Sequence, residues 1–461
     1  MVRMWTNFAI TGNPTPSSDN ALQNVIWPTF NTQTMQYLDI GQNFGRRKPT
    51  EQCPLGHLVR PGAEVQGDNG KLWTVLQLLP VQRDTLCRTS GWRSRASRNP
   101  VPHRGWSGVR DASDHGQSCP SLSPLSEYSG GEDCLFINVY SQNLIGSRPV
   151  MVWIHGGAFV LGNGDSRIYG PDHLVQENVV VVSFNYRLGI LGFFSTGDTQ
   201  SQGNWGLKDC VEALRWVRAN IAAFGGDPNN VTIFGESAPV ELWSTFMTLS
   251  PMTAGLFHKA IAQSGTALVP WGFQYNPREI KTHRSSAVGS AYNHVPIMFG
   301  HTNAESLFMV REHAVDSTVW NEFTRNPGFF VPHFWNIPAG TSEASAVSQA
   351  FRNFYWQDRP LGPAINLEWT TFHTDQQFIY AIDKTGRLTA DRSPQSTYYY
   401  QFSFDGDLNL IKRLLLLTDF PGAVHADEPP YLFSMSNLPV TPILPSNHAT
   451  VVRQRMVRLW T

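Results

Sequence analysis

The stretch VTIFGESA at residues 231–238 decides the fold class, because a short apolar run here ends in Gly-Glu-Ser. A serine at a sharp turn between a strand and a helix has its hydroxyl lifted above the edge of the sheet, where it can act as a nucleophile. The small residues Gly235 and Ala238 leave room for such a turn. We therefore predict that Ser237 is a nucleophile and that the backbone N–H of Ala238 faces the oxyanion formed during its attack.

The residue after this stretch departs from the usual G-x-S-x-G pattern, since Pro239 stands where the last glycine is expected. Proline disfavours the helical region for the residue that precedes it, whereas Ala238 should begin the helix. Loss of one oxyanion donor lowers the rate by about 10²–10³. We therefore expect Pro239 to weaken the site.

The length allows one large core or several smaller ones, and the composition gives no sign of a nucleic-acid partner. The chain has 461 residues, of which 41% are hydrophobic, and a formal net charge of −1, whereas nucleic-acid binding favours a basic surface. No apolar run approaches the roughly 20 residues needed to span a bilayer, and residues 1–7 lack the apolar core of a signal peptide. We therefore expect no membrane span. The sequence leaves secreted and intracellular locations open, as it does the oligomeric state.

From about residue 130 the apolar pattern is that of a parallel α/β protein, whose buried strands read as continuous Val/Ile runs. Residues Leu207–Phe224 have apolar side chains at helical spacing and are followed by two glycines, which predicts a helix with a glycine C-cap. Apolar or aromatic runs predict strands at Leu135–Tyr140, Val150–Ile154, Val179–Phe184, Val231–Phe234, Val295–Phe299 and Tyr398–Phe404.

Two adjacent glycines follow the predicted strand Val150–Ile154, in the sequence HGGAF at 155–159. Glycines allow backbone N–H groups to approach a substrate oxygen closely. Gly156 and Gly157 are therefore candidates for an oxyanion hole, together with the N–H that follows the nucleophile. Taken alone, this loop would more often be an ordinary glycine turn; the serine motif downstream favours the oxyanion hole.

A nucleophilic serine needs a base, and the base needs a carboxylate that orients it. His425 lies in a loop of small residues, GAVHADE at 422–428, and an imidazole can take up and return a proton near neutral pH. Glu305 follows the predicted strand Val295–Phe299, at the end where α/β sheets place their sites. The chain order of Ser237, Glu305 and His425 is that of α/β-hydrolases. Taken singly, each of the latter two could also be an ordinary surface residue, since such residues are abundant.

These residues belong to a longer series of motifs that resembles the type-B carboxylesterase/cholinesterase family. The residues of these motifs are most similar to those of the insect esterases. The resemblance is strong over about 130–265 and moderate over 295–461. The motifs run in the family's order: EDCLFINVY at 132–140, HGGAF at 155–159, NYRLGILGF at 185–193, GNWGLKDCVEALRWV at 203–217, FGGDPNNVTIFGESA at 224–238, QSG at 263–265, VPIMFGHTNAES at 295–306 and GAVHADE at 422–428.

The resemblance implies an α/β-hydrolase fold, a mostly parallel sheet flanked by helices. It implies hydrolysis of small-molecule carboxylic esters through an acyl-enzyme, with no metal and no cofactor. In these terms Ser237 is the nucleophile, His425 the base and Glu305 the orienting acid.

The resemblance also implies the remaining parts of the site and one covalent link. The amides of Gly156, Gly157 and Ala238 would form the oxyanion hole. Cys119 and Cys134 would form a disulfide, so that the other three of the five cysteines include at least one free thiol.

The N-terminal segment is out of place in this comparison. Residues 1–45 resemble the family's C-terminal piece, which belongs after the histidine rather than before the serine. The chain opens with MVRMWT at 1–6 and closes with MVRLWT at 456–461, so this end sequence is duplicated rather than moved. We therefore favour a join of two gene pieces over a circular permutation. We also predict that both copies compete for one apolar groove, with Trp5 near Trp460.

Residues 46–98 have no clear period, and we hypothesise that part of this stretch is read out of frame. We predict irregular structure for most of it and a sheet whose N-terminal strands are incomplete. Residues 99–461 would then be the catalytic domain. The interval between Ser237 and Glu305 is considerably shorter than in the family, which predicts a more open pocket.

These departures leave an alternative to a working esterase. The chain could be a catalytically impaired or inactive cholinesterase-like protein with a binding role, or a truncated or fused gene product. Inactive binding members of the family lack the nucleophile or the base. This chain has both residues, which favours the esterase.

Overall fold

The structure of this protein is a computed structural model. It describes residues 13, 26–31, 36–40, 44–47, 73–77, 99–100, 115–122, 128–196, 198, 201–237, 247–248, 250–270, 293–310, 318–325, 330–331, 337–338, 340–436 and 446–461. The predictions made for Ala238, Pro239 and Trp5 therefore lie outside the described residues.

A mixed, mostly parallel sheet forms the centre of the molecule. The strands within the described ranges are β1 (Tyr37–Ile40), β2 (Phe44–Arg47), β3 (Trp73–Gln77), β4 (Ser121–Leu122), β5 (Tyr128–Ser129), β6 (Phe136–Tyr140), β7 (Arg148–Ile154), β8 (Val180–Phe184), β9 (Gly226–Glu236), β10 (Lys259–Gln263), β11 (Ile297–Thr302) and β12 (Thr397–Phe402). Ten of them form one sheet in the order β2-β1-β12-β11-β10-β9-β7-β8-β6-β3, and β4 pairs with β5. The pairs from β1 to β8 along this order are parallel, and only β2–β1, β8–β6 and β6–β3 are antiparallel.

Helices flank this sheet. Those described are α1 (Asp172–Val175), α2 (Gly189–Phe193), α3 (Trp205–Asn220), α4 (Thr318–Arg325), α5 (Ser342–Trp356), α6 (Asn366–Thr374), α7 (Tyr380–Arg392), α8 (Leu410–Leu414), α9 (Pro429–Leu432) and α10 (Asn447–Trp460). α3 packs on β9 and α7 on β12. None of the helices in these ranges is long and apolar enough to cross a membrane.

The predicted elements are present, which confirms the fold class. The six predicted strands are β6, β7, β8, β9, β11 and β12. The predicted helix is α3, continued by a 3₁₀ turn at Ile221–Phe224 and ended by Gly225 in the left-handed region, with φ of 71°. Each residue of β8 is buried, as expected for a parallel strand covered on both faces.

The sequence pattern did not predict β10. Its sequence, Lys259-Ala-Ile-Ala-Gln263, contains one large apolar residue and begins and ends with polar ones. All five residues are nevertheless buried, because β10 lies between β9 and β11. Position within the sheet, rather than local composition, therefore makes this segment a strand.

The N-terminal segment supplies the strand beside β12. β1 runs parallel to β12, and the Ser403 hydroxyl donates a hydrogen bond to the Asp39 carboxylate. Trp27 packs edge-on against Tyr398, with ring centroids 6.0 Å apart. Residues from the start of the chain thus complete the sheet next to a strand near its end. That this segment is a displaced C-terminal piece stays a prediction.

Part of the stretch 46–98 is regular. Residues 46–47 end β2, and Trp73–Gln77 forms β3, which pairs antiparallel with β6 at the edge of the sheet. Residues 48–72 and 78–98 lie outside the described ranges. The hypothesis that this stretch is read out of frame stays a prediction.

A second apolar core lies among α4, α5 and α6, apart from the core around the sheet. It consists of Trp320, Phe323, Phe330, Trp356, Ile365, Trp369 and Phe372. This core is rich in aromatic residues, most of which are carried by these three helices.

Candidate active site

The backbone turns sharply at Ser237, directly after β9. Its φ is 66°, in the left-handed region that non-glycine residues rarely adopt. Such strain persists only where the surroundings impose it, and a sharp turn from strand to helix imposes it on a nucleophilic serine. The structure therefore has the geometry of a nucleophile elbow as far as Ser237.

His425 bridges the serine and a carboxylate. Its Nδ1 lies 2.6 Å from Glu305 Oε2, and its Nε2 lies 2.6 Å from Ser237 Oγ. In the tautomer with a proton on Nδ1, the ring donates to the carboxylate and Nε2 accepts from the hydroxyl. The structure thus brings together the three predicted residues, although 120 and 188 positions separate His425 from the other two.

The loops that carry the carboxylate and the imidazole are bonded directly to each other. The Ala304 N–H donates to the Ala423 carbonyl at 3.1 Å, and the His425 N–H donates to the Glu305 carbonyl at 3.3 Å. The Ala423 N–H donates to Asn303 Oδ1 at 2.9 Å. These three hydrogen bonds fix the spacing between the side chains of Glu305 and His425.

A buried carboxylate holds the imidazole loop from its other side. Asp427 accepts from the N–H of Val424 at 2.9 Å, from the N–H of Lys412 at 3.2 Å and from the Asn409 amide at 3.0 Å. Burial raises the pKa of Asp427 to about 7, although these hydrogen bonds act to lower it. Asp427 therefore organises the backbone around His425 rather than facing the serine.

A buried ammonium anchors the start of the same loop. Lys412 Nζ donates to both carboxylate oxygens of Asp405 at 2.7 Å and to the Gly422 carbonyl at 2.9 Å. Asp405 in turn accepts from the Gly422 N–H at 2.9 Å. The loop is thus tied down by charged groups before it reaches the imidazole.

The glycine loop after β7 lies against the nucleophile. A Cβ added at Gly156 would lie 2.7 Å from the Glu236 carbonyl oxygen and 3.1 Å from Ser237 Cβ. Gly157 has φ of 119°, and a Cβ there would lie 2.2 Å from a carbonyl oxygen of its own loop. Both positions therefore require glycine, and the loop passes directly beside Ser237.

His155, the first residue of this loop, holds the loop in place through its own contacts. Its Nδ1 lies 2.9 Å from the Gly156 carbonyl oxygen, and its ring stacks on Tyr186 with centroids 4.4 Å apart. The Tyr186 hydroxyl donates to the His155 carbonyl at 2.9 Å. Burial lowers the pKa of His155 to about 4, so the ring is neutral and holds the loop by hydrogen bonding and stacking.

Two carboxylates that the sequence reasoning did not single out lie beside the imidazole. Glu236 Oε1 is 3.1 Å from His425 Nε2. Glu428 lies three residues after His425 in the chain and is fully buried. Burial raises the pKa of Glu236 to about 7. Burial, helped by the charges of Glu305 and Glu236, raises the pKa of Glu428 well above its usual range. Both residues lie within the family-like motifs of the sequence. That location was the one signal from which they could have been predicted to lie near the site.

The carboxylates set the charge state of the imidazole. Burial acts to lower the pKa of His425, but the charges of Glu236 and Glu305 outweigh it and raise the pKa to about 9. Burial acts to raise the pKa of Glu305, but the charge of His425 and its hydrogen bond hold that pKa below the usual value. The site therefore stabilises a positive charge on the imidazole ring.

Two aromatic side chains lie beside the imidazole. The rings of Phe378 and Phe308 have centroids 5.1 and 6.3 Å from that of His425. Neither residue was predicted, because aromatic residues are common throughout the chain. They give the serine–histidine pair an apolar wall.

The cysteines behave as the resemblance implied. Cys119 and Cys134 form a disulfide with Cα atoms 4.8 Å apart, and Cys210 is free and buried. Over the described ranges, no group of three or more His, Cys, Asp or Glu side chains is arranged to hold a metal ion.

The fold and this geometry define a class of protein. A mostly parallel sheet carries a strained serine after β9, a glycine loop after β7 and a carboxylate after β11, which is the arrangement of an α/β-hydrolase with a Ser-His-Glu constellation. The chain belongs to the carboxylesterase family, whose model matches residues 97–294 and 280–461.

Curated relatives are esterases and lipases. Human bile salt-activated lipase is 42% identical over 236 residues, which cover 48% of this chain and 31% of that protein. Esterase E4 of Myzus persicae is 28% identical over 410 residues, 73% of this chain and 74% of that protein. The chain spans 31–39% of the length of the human, rat and mouse bile salt-activated lipases.

Solved structures agree on the fold. Juvenile hormone esterase from Manduca sexta superposes with a TM-score of 0.66 at 23% identity, over 92% of this chain and 88% of that one. A PNB esterase superposes with a TM-score of 0.58 at 24% identity, over 88% of each chain. They confirm the α/β-hydrolase fold, and the match to Esterase E4 of Myzus persicae confirms the similarity to insect esterases.

Proposed function

We propose that this chain is a serine hydrolase of carboxylic esters that works through an acyl-enzyme. One observation carries the proposal: a continuous line of two 2.6 Å contacts from Ser237 Oγ through His425 to Glu305. Membership of the carboxylesterase family supports it. No metal or cofactor takes part in this chemistry.

In the first half of the reaction, Ser237 Oγ attacks the ester carbonyl carbon and passes its proton to His425 Nε2. The charge of Glu305 stabilises the imidazolium that results, since its carboxylate lies at Nδ1. The backbone N–H groups of Gly156, Gly157 and Ala238 would bind the negative oxygen of the tetrahedral intermediate. The intermediate collapses when Nε2 returns the proton to the leaving alkoxide, which departs as an alcohol.

In the second half, water takes the place of the alcohol. His425 Nε2 removes a proton from this water as its oxygen attacks the acyl carbon bound to Ser237. Collapse of the second intermediate returns the proton to Ser237 Oγ and releases a carboxylic acid. The enzyme is then in its starting state, and one ester and one water have become one acid and one alcohol.

The substrate class is small-molecule carboxylic esters. The apolar wall of Phe308 and Phe378 beside His425 favours an apolar group next to the ester carbonyl. The relatives named above are esterases and lipases, which supports the same class of substrate.

The family's inactive binding members provide the contrast. They lack the nucleophile or the base, whereas Ser237 and His425 are both present here and in contact. A binding role, or a damaged product of a gene fusion, is therefore not favoured.

The first test is labelling of the purified chain with a fluorophosphonate probe, with Ser237→Ala as the variant and Ser348→Ala as the control. Ser348 is a buried serine in α5, remote in sequence from the site. We expect labelling of the wild type and of Ser348→Ala, and none of Ser237→Ala. Hydrolysis of p-nitrophenyl acetate by Ser237→Ala should fall by about 10⁴ or more, as for other serine hydrolases that lose the nucleophile. Labelling that persists in Ser237→Ala, or an unlabelled folded wild type, would contradict the proposal.

A further inference from the structure

Four residues lie in one register row across the strands that carry the site. Glu236 of β9 is aligned with Gln263 of β10, Gln263 with Gly300 of β11, and Gly300 with Tyr400 of β12. Aligned residues of neighbouring strands present their side chains on the same face of a sheet. We call these four residues the floor row, because they lie directly before the loops that hold the serine and the carboxylate.

Tyr400 leans across the gap that Gly300 leaves in the floor row. A Cβ added at Gly300 would lie 1.7 Å from the ring carbon that carries the Tyr400 hydroxyl. The tyrosine ring therefore occupies the space of the missing side chain. This leaning brings an aromatic ring of β12 toward Gln263 on β10.

Trp460, near the end of α10, closes this layer. Its indole N–H donates to Gln263 Oε1 at 2.8 Å, and its ring packs edge-on against Tyr400 with centroids 5.4 Å apart. All three side chains are fully buried. Trp460 belongs to MVRLWT at 456–461, the end sequence that is repeated at 1–6, and the proposed reaction gives it no role.

One end of the floor row contacts a reacting group, and the other end contacts the loop that carries that group. At one end, Glu236 immediately precedes Ser237, and its carboxylate is 3.1 Å from His425 Nε2. At the other end, the Tyr400 hydroxyl donates to Glu428 Oε1 at 3.2 Å, in the loop of the imidazole.

The two middle residues of the floor row, Gln263 and Gly300, lie next to the segments that hold the Glu305 carboxylate. The Ser264 N–H, next to Gln263, donates to the Gly300 carbonyl at 2.6 Å. Two residues after Gly300, the Thr302 N–H donates to Glu305 Oε1 at 2.8 Å. The ends of β10 and β11 are thus bonded together just before the chain reaches the carboxylate.

We propose that Trp460 is a positioning residue for the catalytic constellation: its indole pins Gln263 and Tyr400, and through the floor row it fixes where Glu305 and His425 stand relative to Ser237. The proposal rests on the proposed function for its kinetic readout. The C-terminal hexapeptide is then part of the active-site support rather than only a helix end.

Loss of the indole N–H leaves the Gln263 carbonyl oxygen buried without its donor, so the side chain reorients and the row loosens. A misplacement of about 1 Å can cost about 10²-fold in rate. For Trp460→Phe, which keeps an aromatic ring against Tyr400, we expect kcat to fall about tenfold. KM should stay within about twofold, because Trp460 contacts the row and not the reacting groups.

The matched control is Trp356→Phe. Trp356 is also fully buried, but it lies in the second apolar core, and its indole nitrogen has no hydrogen-bond partner within the part of the chain described. The same atoms are removed in both variants. Kinetics are measured well below the melting midpoint of each, so that lost stability does not enter kcat.

Gln263→Leu completes a double-mutant cycle with Trp460→Phe. Each single variant removes the same hydrogen bond, so the double variant should have the kcat of either single variant within about twofold. An unchanged kcat in Trp460→Phe, an equal loss in Trp356→Phe, or losses that multiply in the double variant would each overturn the proposal.

A signature independent of turnover separates this proposal from the proposed function. The proton between His425 Nδ1 and Glu305 Oε2 lies in a short, charge-assisted hydrogen bond and should give a far-downfield proton resonance. We expect this resonance to shift or broaden in Trp460→Phe and to stay unchanged in Trp356→Phe. If the wild type neither binds fluorophosphonate nor hydrolyses ester, the proposed function fails, and the resonance still decides the role of Trp460: an unchanged signal in Trp460→Phe would refute it.

Discussion

The two halves of the site are built in different ways. The nucleophile half, Ser237 with the loop 155–162, consists of two short segments that lie side by side, and the loop is shaped largely by contacts within itself. Within that loop, the N–H groups of Val160 and Leu161 both donate to the Gly157 carbonyl at 3.0 Å. The acid–base half joins 303–305 to a loop more than a hundred residues later, through hydrogen bonds that cross between them.

This difference has a physical consequence. Local turns are specified by glycine positions and strain, so a short motif suffices to announce them. Contacts between distant segments are made only when the whole sheet aligns the strands that carry them. Activity should therefore be sensitive to added atoms in the nucleophile half. In the acid–base half it should be sensitive to altered charge and to the loss of hydrogen bonds between the two loops.

The largest effect is expected for Glu305→Gln, which tests the acid–base half. The Gln carbonyl oxygen can still accept from the Thr302 N–H, but the Gln NH₂ group donates a hydrogen bond to His425 Nδ1, which favours the wrong imidazole tautomer. The corresponding carboxylate-to-amide change in a serine protease lowers kcat about 10⁴-fold, and we expect a similar loss of ester hydrolysis.

The control for this change is Glu343→Gln, an exposed glutamate in the first turn of α5. It should leave kcat unchanged. A loss smaller than tenfold in Glu305→Gln would mean that the carboxylate is not the group that orients His425.

A smaller loss is expected for Gly156→Ala, which tests the nucleophile half. The new Cβ would lie 2.7 Å from the Glu236 carbonyl oxygen and 3.1 Å from Ser237 Cβ, so the loop must move away from the serine. We expect kcat to fall by about 10²–10³, the usual cost of one oxyanion donor, with a smaller change in KM.

Gly362→Ala serves as its control, because a Cβ there meets nothing within 4 Å. Steady-state kinetics of the two alanine variants and the wild type give the comparison. If Gly156→Ala kept wild-type kcat, the glycine loop would not lie where the oxyanion forms.

The smallest effect is a shift in the pH dependence of kcat/KM. It tests whether Glu236, beside the nucleophile, sets the proton affinity of His425 in the acid–base half. His425 acts as a base only without its extra proton, so kcat/KM should rise with pH through its raised pKa of about 9. Glu236 has a pKa of about 7 and is charged at that pH, where it favours the imidazolium. In Glu236→Gln this charge is absent, so we expect the rise to move to lower pH by at least about one pH unit.

The pH profile of kcat/KM for ester hydrolysis measures this shift, with Glu343→Gln again as the control. A profile that stays in place, or moves to higher pH, would show that Glu236 does not set the proton affinity of His425.

Much of the site was predictable because its chemistry is written in short motifs. Ser237, Glu305 and His425 were predicted from the sequence and from the family resemblance, and so were Gly156 and Gly157. Glu236 stood inside the same motif, but its contact with His425 could not be read from it. That contact depends on where a loop from the far end of the chain returns.

The limits of the pattern show in the sheet as well. The continuous apolar runs predicted β6 to β9 together with β11 and β12, since buried parallel strands need such runs. β10 was missed because its burial comes from its neighbours rather than from its own residues. β1 was missed because nothing local in YLDI indicates that its partner is a strand 362 residues away.

The sequence by itself determined the fold class, singled out Ser237, His425 and Glu305 as the proposed nucleophile, base and acid, and indicated glycines beside the serine. These features are local, or are announced by periodicity and by motifs of a few residues. Only the tertiary structure decided that the loops at 303–305 and 422–425 are bonded together, that Glu236 reaches His425, and that Trp460 pins the floor row. Each of these is a contact between segments far apart in the chain, and strand register, which no single segment encodes, is what brings them within hydrogen-bonding distance.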